Sequence, residues 1–235
     1  MAVKLLSPQS QPSANHAADD QSGEHAGLRP AWLFVVALLL LLATALGFWI
    51  GIRQTTLPAE GSAEVGFARD MATHHAQAVE MATLLRDQSE DPEMRQLAID
   101  IMLTQQAQIG QMQGWLALWG RPLARVAPAM DWMDMPTTGL MPGMADADAI
   151  NQLRTLTGVE ADGQFLQLMI PHHRAGVIMA QAVLDRSEQP AVRALAQAIV
   201  RAQESEITYM QALLQQKGFA PVPDAPSMDH ENMSH

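Results

Sequence analysis

Residues 67–120 recur at residues 165–218 with a constant offset of 98 and no gap, and 21 of the 54 aligned pairs are identical. The matches include Met71/Met169, His74/His172, His75/His173, Met81/Met179, Pro92/Pro190, Arg95/Arg193, Gln105/Gln203, Ile109/Ile207, Met112/Met210 and Gly120/Gly218. Apolar helices that resembled one another by chance would not keep histidine pairs and prolines in one frame. Any fold for this chain must therefore give the two copies equivalent places. Each copy reads as two helices joined by a Pro-marked turn, so the expected unit is a duplicated helical hairpin.

The helical stretches are bounded by capping chemistry. The first spans about 63–89. Asp91-Pro92-Glu93 supplies a cap and a proline at the first helical position of the second, which runs to about 119 and stops at Gly120-Arg121-Pro122. The third spans about 162–187. Gln189-Pro190 repeats the start signal, and the fourth ends at Lys217 with Gly218 as its C-terminal cap. Residues 122–148 are a Pro- and Gly-rich connector carrying Met130, Met133, Met135, Met141 and Met144. These methionines read either as flexible filler or as a copper-gathering loop.

Periodicity places the faces. Phe67, Met71, His74, Ala78, Met81 and Leu85 fall on one stripe of the first helix, and Phe165, Met169, His172, Gly176, Met179 and Val183 on one stripe of the third. The second offers Met94, Ala98, Ile101, Gln105, Gln108, Met112 and Trp115, and the fourth Val192, Ala196, Ile199, Gln203, Glu206, Met210 and Leu213. His74 and His172 therefore point where their helices pack. His75 and His173 lie about 100° further round. Within each hairpin the histidine helix is expected to face the helix bearing Gln, Gln or Glu, and Met. Pro171, just before the second pair, lacks an N–H and should kink its helix.

Imidazole and thioether together form a soft-metal ligand set. A methionine stripe is ordinarily core filler, and Met94 and Met102 are read so. Met71, Met81, Met169 and Met179 travel with histidine in both copies and are read as ligands or their close neighbours. Met112, Met210 and Glu206 complete the candidate set within the bundle. A carboxylate on an apolar seam needs a partner or a metal, and Arg174 or Arg201 would be the ordinary partner for Glu206. The C-terminal Met228-x-His230 and Met233-x-His235 add four further candidates on composition alone.

Composition narrows the function classes. A formal charge of −11 argues against a nucleic-acid partner. The absence of cysteine excludes disulfides, thiolate zinc sites and cysteine nucleophiles, and leaves Met, His and carboxylate as metal ligands. Thioethers survive in an oxidising compartment. Residues 1–30 are polar and small, and disorder is expected there. Residues 31–52 carry no charge between Arg29 and Arg53, with Trp32 and Trp49 near the ends. Such a run crosses roughly 30 Å of hydrocarbon as a helix. It starts late and is too long for a cleaved signal peptide. The expectation is a single-pass anchor in the bilayer, a linker, the four-helix domain over 63–218, and a tail over 219–235, with the C-terminal domain outside the cytoplasm.

The residues Phe67…Met71-x-x-His74-His75-x-x-x-Val79-x-Met81-Ala82 and Phe165-Leu166-x-Leu168-Met169-Ile170-Pro171-His172-His173-x-x-x-Val177-x-Met179-Ala180, followed by Gln203-x-x-Glu206-Ile207-x-x-Met210, resemble the family catalogued as domain of unknown function 305. Met141-Pro142-Gly143-Met144 also fits, and the likeness covers about 64–218. The resemblance implies an all-α, ferritin-like four-helix bundle, exported or periplasmic, with copper binding in some members. The first copy departs from it at Gln108, where the second has Glu206, and at Thr73, where the second has Pro171.

The leading expectation is thus a membrane-anchored, extracytoplasmic protein that binds copper, with Cu(I) favoured by the thioethers. It would serve tolerance, storage or delivery, as a homo-oligomer or with a copper-exchanging protein. Binding should weaken as the histidines protonate near their reference pKa of about 6.5. A ferritin-like di-iron oxidase would need several inward carboxylates and Glu-x-x-His on two helices, and the bundle has no such motif. A partner-binding bundle whose histidines merely pack is the third reading. No catalytic role is expected.

Overall fold

The computed structural model describes residues 30–55 and 57–223. The expected disordered segment, apart from Pro30, and the tail candidates Met228, His230, Met233 and His235 lie outside the described residues. The chain divides into two compact units, Met1–Thr56 and Leu57–His235. The first contains α1 (Pro30–Thr55), an apolar helix with exposed side chains. Among the described residues it is the one helix long and apolar enough to cross a membrane.

The second unit is helical, built on α2 (Ala63–Gln88), α3 (Pro92–Leu118), α5 (Gly158–Leu184) and α6 (Pro190–Gln216). A shorter α4 (Ala147–Thr155) lies between the hairpins. The caps follow the local sequence. Ser62 accepts from the Val65 amide and Asp91 from the Glu93 amide at 2.9 Å. Gly120 and Gly218 adopt positive φ (66° and 82°). The next amide returns in each case to the last turn, Arg121 N–H to the Leu116 carbonyl and Phe219 N–H to Leu214. The two copies thus end alike. α5 runs unbroken through Pro171.

Two apolar clusters fill the bundle. One joins the N-terminal half of α2 and C-terminal half of α3 (Phe67, Met71, Met112, Leu116) to Met179, Val183 and Ile199. The other joins the opposite halves: Met81, Leu85, Met94 and Ile101 with Phe165, Met169, Met210 and Leu213. The start of α2 therefore lies by the end of α5, and the two hairpins are packed antiparallel through α2 and α5. Lys217 at the end of α6 reaches Asp91 at the cap of α3 and Asp162 on α5, the latter at 2.9 Å.

The connector is folded, neither flexible filler nor an open loop. A short 3-10 turn, Asp131–Met133, lies between Met130 and Asp134, both at φ 63°. Met130, Met133 and Met141 are buried in the first cluster, with Met135 and Met144 packed at its edge. Buried Asp70 on α2 holds the turn by accepting from the Met130 amide at 2.7 Å and the Trp132 indole N–H at 3.0 Å. α5 also begins at Gly158, ahead of the expected start near 162. Sequence periodicity missed α4 because the helix is only nine residues long and adjoins a Pro- and Gly-rich run.

Replacing Asp70 by Ala leaves two buried donors without an acceptor, each worth roughly 1–3 kcal/mol. The variant Asp70→Ala is expected to lose about 2–4 kcal/mol in urea unfolding of the Leu57–His235 unit. Trp132 emission should shift to the red as the connector loosens.

Candidate metal centre

Between the two apolar clusters lies a polar layer. His74 and His75 enter it from α2, His172 and His173 from α5, Gln105 from α3 and Gln203 from α6, and all six are buried. The helical spacing accounts for this. His74 and His172 stand on the apolar stripes, and the next residue, a turn-fraction away, faces the neighbouring helix of the same hairpin.

The seam histidines do not meet their hairpin partners, as periodicity alone suggested. They meet each other: the His74 and His172 rings stack with centroids 3.7 Å apart and planes 30° from parallel. His75 and His173 face the hairpin partners instead. His75 Nε2 lies 2.7 Å from Gln108 Oε1, and His173 Nε2 lies 2.7 Å from Glu206 Oε2. An amide oxygen or carboxylate only accepts, so each Nε2 carries the proton and each Nδ1 is left with a lone pair. The Glu206 partner is therefore His173, and neither Arg174 nor Arg201 takes that place. Glu206 is half-buried, with 24 % of its side chain exposed, so the layer has a polar edge on α6.

Six imidazole nitrogens make no well-formed hydrogen bond: both nitrogens of His74 and of His172, and Nδ1 of His75 and of His173, although the Pro142 backbone lies close to the His74 ring and the His74 backbone close to the His172 ring. The side-chain amides of Gln105 and Gln203 are unpartnered as well. Gln203 packs so closely on α5 that a Cβ on Gly176 would lie 2.3 Å from its Oε1. Buried polar atoms in native proteins are nearly always satisfied, and a cluster of exceptions is the mark of an ion or water site.

The thioethers are placed on both sides of this layer. Met71 and Met179 lie in the first cluster with Met112; Met81 and Met169 lie in the second with Met210, and all six are buried. Among the described residues no three His, Asp or Glu side chains converge on one point. A metal held here takes imidazole nitrogen together with sulfur, which is a soft set. The residues present fit such an ion: neutral imidazoles, free lone pairs and buried thioethers.

Burial dominates the electrostatics. It holds His74 at a pKa of about 3, helped by repulsion from His75 and His173 and opposed by the Pro142 backbone. His75 is likewise held at about 3 by burial, against its bond to Gln108. His172 is pushed well below the ordinary histidine range by burial and then by His74. His74, His75 and His172 thus stay neutral in the metal-free fold well below 6.5, so these three do not account for the expected loss of binding near that pH.

The connector, which the sequence offered either as flexible filler or as a copper-gathering loop, borders the layer. The connector turn Met141–Met144 lies against α5 at Pro171 and His172 and against α2 at Gln77. The Met-Pro-Gly-Met sequence was the available signal. At the other edge the described chain ends beside the layer: Arg174, next to His173, donates to the Pro223 and Val222 carbonyls, and Gln211 donates to Val222 at 2.8 Å.

Comparison with known proteins places this geometry. The family model described as a domain of unknown function, DUF305, matches residues 64–214. The crystal structure of a DUF305 protein from Streptomyces coelicolor is 46% identical, covering 69% of this chain and 98% of that one at a TM-score of 0.67. CopM in its Cu(II)-bound form is 32% identical, covering 65% of this chain and 96% of that one at a TM-score of 0.54. CopM has also been solved in a Cu(I)-bound form. An uncharacterized protein, L153, of Acanthamoeba polyphaga mimivirus is 34% identical over 56 residues, which are 24% of this chain. The match spans 37% of that viral protein's length.

The histidine shifts set an acid limit on the metal-free fold. An imidazole neutral in the fold to about 3 and titrating near 6.5 when unfolded stabilises the fold fully above 6.5. That stability is lost progressively as pH falls from 6.5 toward 3. At pH 5 the loss is about 2 kcal/mol for each of His74 and His75. Urea midpoints of the metal-free bundle at pH 7 and pH 5 should differ accordingly, and the difference should shrink by about that amount in His75→Gln.

Proposed function

This chain belongs to the DUF305 family, and from that premise we propose that it is a copper-binding protein, tethered to a membrane by α1, with the bundle outside the cytoplasm. The observation that carries the reading is the set of six buried imidazole nitrogens that make no well-formed hydrogen bond, in a layer with buried thioethers of both repeats in the clusters on either side. The copper-bound forms of CopM support copper as the metal. Thioether donors favour the Cu(I) state over harder ions, and a thioether site tolerates an oxidising compartment where thiolates would be lost.

In this reading His74, His75, His172 and His173 supply nitrogen. Met71, Met81, Met169 and Met179 supply sulfur, with Met112 and Met210 beside them. Glu206 orients His173 rather than binding metal itself: its carboxylate accepts from Nε2, fixes the tautomer and raises the basicity of Nδ1. Gln108 does the same for His75 more weakly, because an amide carries no charge. The tail residues Met228, His230, Met233 and His235 add a second group of soft donors by composition. Tolerance, storage and delivery all fit a protein that holds copper on a membrane surface, and no chemical step is assigned to it. A purely packed set of histidines would leave the same nitrogens unsatisfied at roughly 1–3 kcal/mol each, which disfavours a bundle built only for partner binding.

Competition for Cu(I) against a chromogenic chelator tests this on the fragment beginning at Leu57. Binding should be strong in the fragment and in one cut after Pro226. It should be lost when all four bundle histidines are changed to Ala, and weakened roughly tenfold or more by Glu206→Gln. Absence of binding in the intact fragment sinks the copper reading. Loss only in the cut form moves the metal to the tail.

A further inference from the structure

The connector presses one tight turn onto the histidine layer. Met144 N–H returns to the Met141 carbonyl at 3.1 Å, with Pro142 and then Gly143 (φ 76°) at the two central positions. That is a type II turn, for which proline then glycine is the natural sequence. A Cβ on Gly143 would lie 2.6 Å from the Pro171 carbonyl, 2.7 Å from Ala175 Cβ and 3.1 Å from His172 Cα. Both the conformation and the space therefore demand glycine. The Pro142 backbone meanwhile sits by His74. The turn thus meets both histidine helices, Gly143 toward α5 and Pro142 toward His74 on α2.

Polar contacts hold it there. The Gln77 side chain on α2 donates to the Ala145 carbonyl and accepts from the Ala145 amide, both at 2.8 Å. One amide thus satisfies both backbone groups of the residue after the turn and fixes its height on the bundle. The result is that Met141, one residue before the Pro142 backbone that lies by His74, is buried in the cluster that holds Met71 and Met179. A core filler needs only volume, and methionine adapts to many gaps. Here a proline, a left-handed glycine and a two-point amide clamp seat this methionine at the head of a turn that meets both histidine helices, where the rings of His74 and His172 make no well-formed hydrogen bond.

We propose that Met141 is a ligand of the metal centre, contributing thioether sulfur to the soft ion at His74 and His172. Gly143 and Gln77 are the positioning residues that seat it. The inference rests on the copper reading and extends it from the two repeats to the segment between them. The centre then closes on three chain segments, α2, α5 and the turn, and the connector is part of the site rather than a link between hairpins.

The test uses the full chain in detergent micelles with methyl-13C methionine, titrated anaerobically with Cu(I) delivered from a bicinchoninate complex. Met141 is assigned by Met141→Leu, a nearly volume-conserving change. The expected result is a Met141 methyl shift that saturates together with the ring protons of His74 and His172. Met141→Leu should weaken Cu(I) binding roughly tenfold, and Gly143→Ala, which retains every donor, by a comparable factor. Met94→Leu, in the other cluster, should bind as the parent does. A Met141 methyl that stays in place while Met71 or Met179 moves overturns the proposal and makes Met141 core filler. So does parental affinity in Met141→Leu. If no methionine methyl responds, the copper reading itself fails and this inference falls with it.

Discussion

The structure turns on the meeting of His74 and His172. Two imidazoles stacked at 3.7 Å, both fully removed from water, are an unfavourable core unless something holds them. What holds them is the pair of apolar clusters above and below, each assembled from halves of all four long helices. Sliding one hairpin along the other would bring histidine against leucine and phenylalanine, and would expose apolar surface worth about 25 cal/mol per Å². The clusters thus fix the register of α2 on α5, and that register brings the histidine pairs together. The same burial keeps the rings neutral with their lone pairs available. A group that is costly to the metal-free fold is for that reason ready to bind a metal.

Much of this was legible in the sequence, because a 98-residue offset and a helical period leave little choice about which residues share a face. Every residue expected on the α2 and α5 stripes is buried. The helix starts at Pro92 and Pro190 and the glycine stops at Gly120 and Gly218 follow from backbone chemistry within a few residues. What periodicity does not carry is the identity of the neighbour. It put His74 and His172 on packing faces but could not say that the two faces were each other's. That depends on how two hairpins dock, through contacts nearly a hundred residues apart. Glu206 was likewise read as a metal ligand or else the partner of an arginine, and its partner in the fold is the imidazole of His173.

The connector was the least legible part, and for a specific reason. Its order comes from Asp70 and Gln77, polar side chains on α2 that satisfy backbone groups 60 and 68 residues away. It also holds Met130 in a left-handed conformation that this residue type seldom adopts, with Asp134, a more tolerant type, at the same φ. Local propensity in such a stretch points to a loose loop. Only the tertiary partners make it a packed cap, so composition left open a choice between flexible filler and a copper-gathering loop, and the fold removes the flexibility.

The two halves of the centre are related by duplication but are not equal. Position 78 is Ala where its counterpart 176 is Gly, and a methyl at 176 would lie 2.3 Å from Gln203 Oε1. Gln105 therefore cannot approach α2 as closely as Gln203 approaches α5. Thr73 closes its helix with a hydroxyl bond to the Arg69 carbonyl, while Pro171 leaves the Gln167 carbonyl without its usual donor. Gln108 gives His75 a neutral acceptor where Glu206 gives His173 a charged one, and a charged acceptor raises imidazole basicity more. Gln108 and Glu206 are both half-buried, so it is the charge of the acceptor that favours the second repeat as the stronger half. The first repeat supplies the matching wall and, through Gln77, the clamp that brings the connector down onto both.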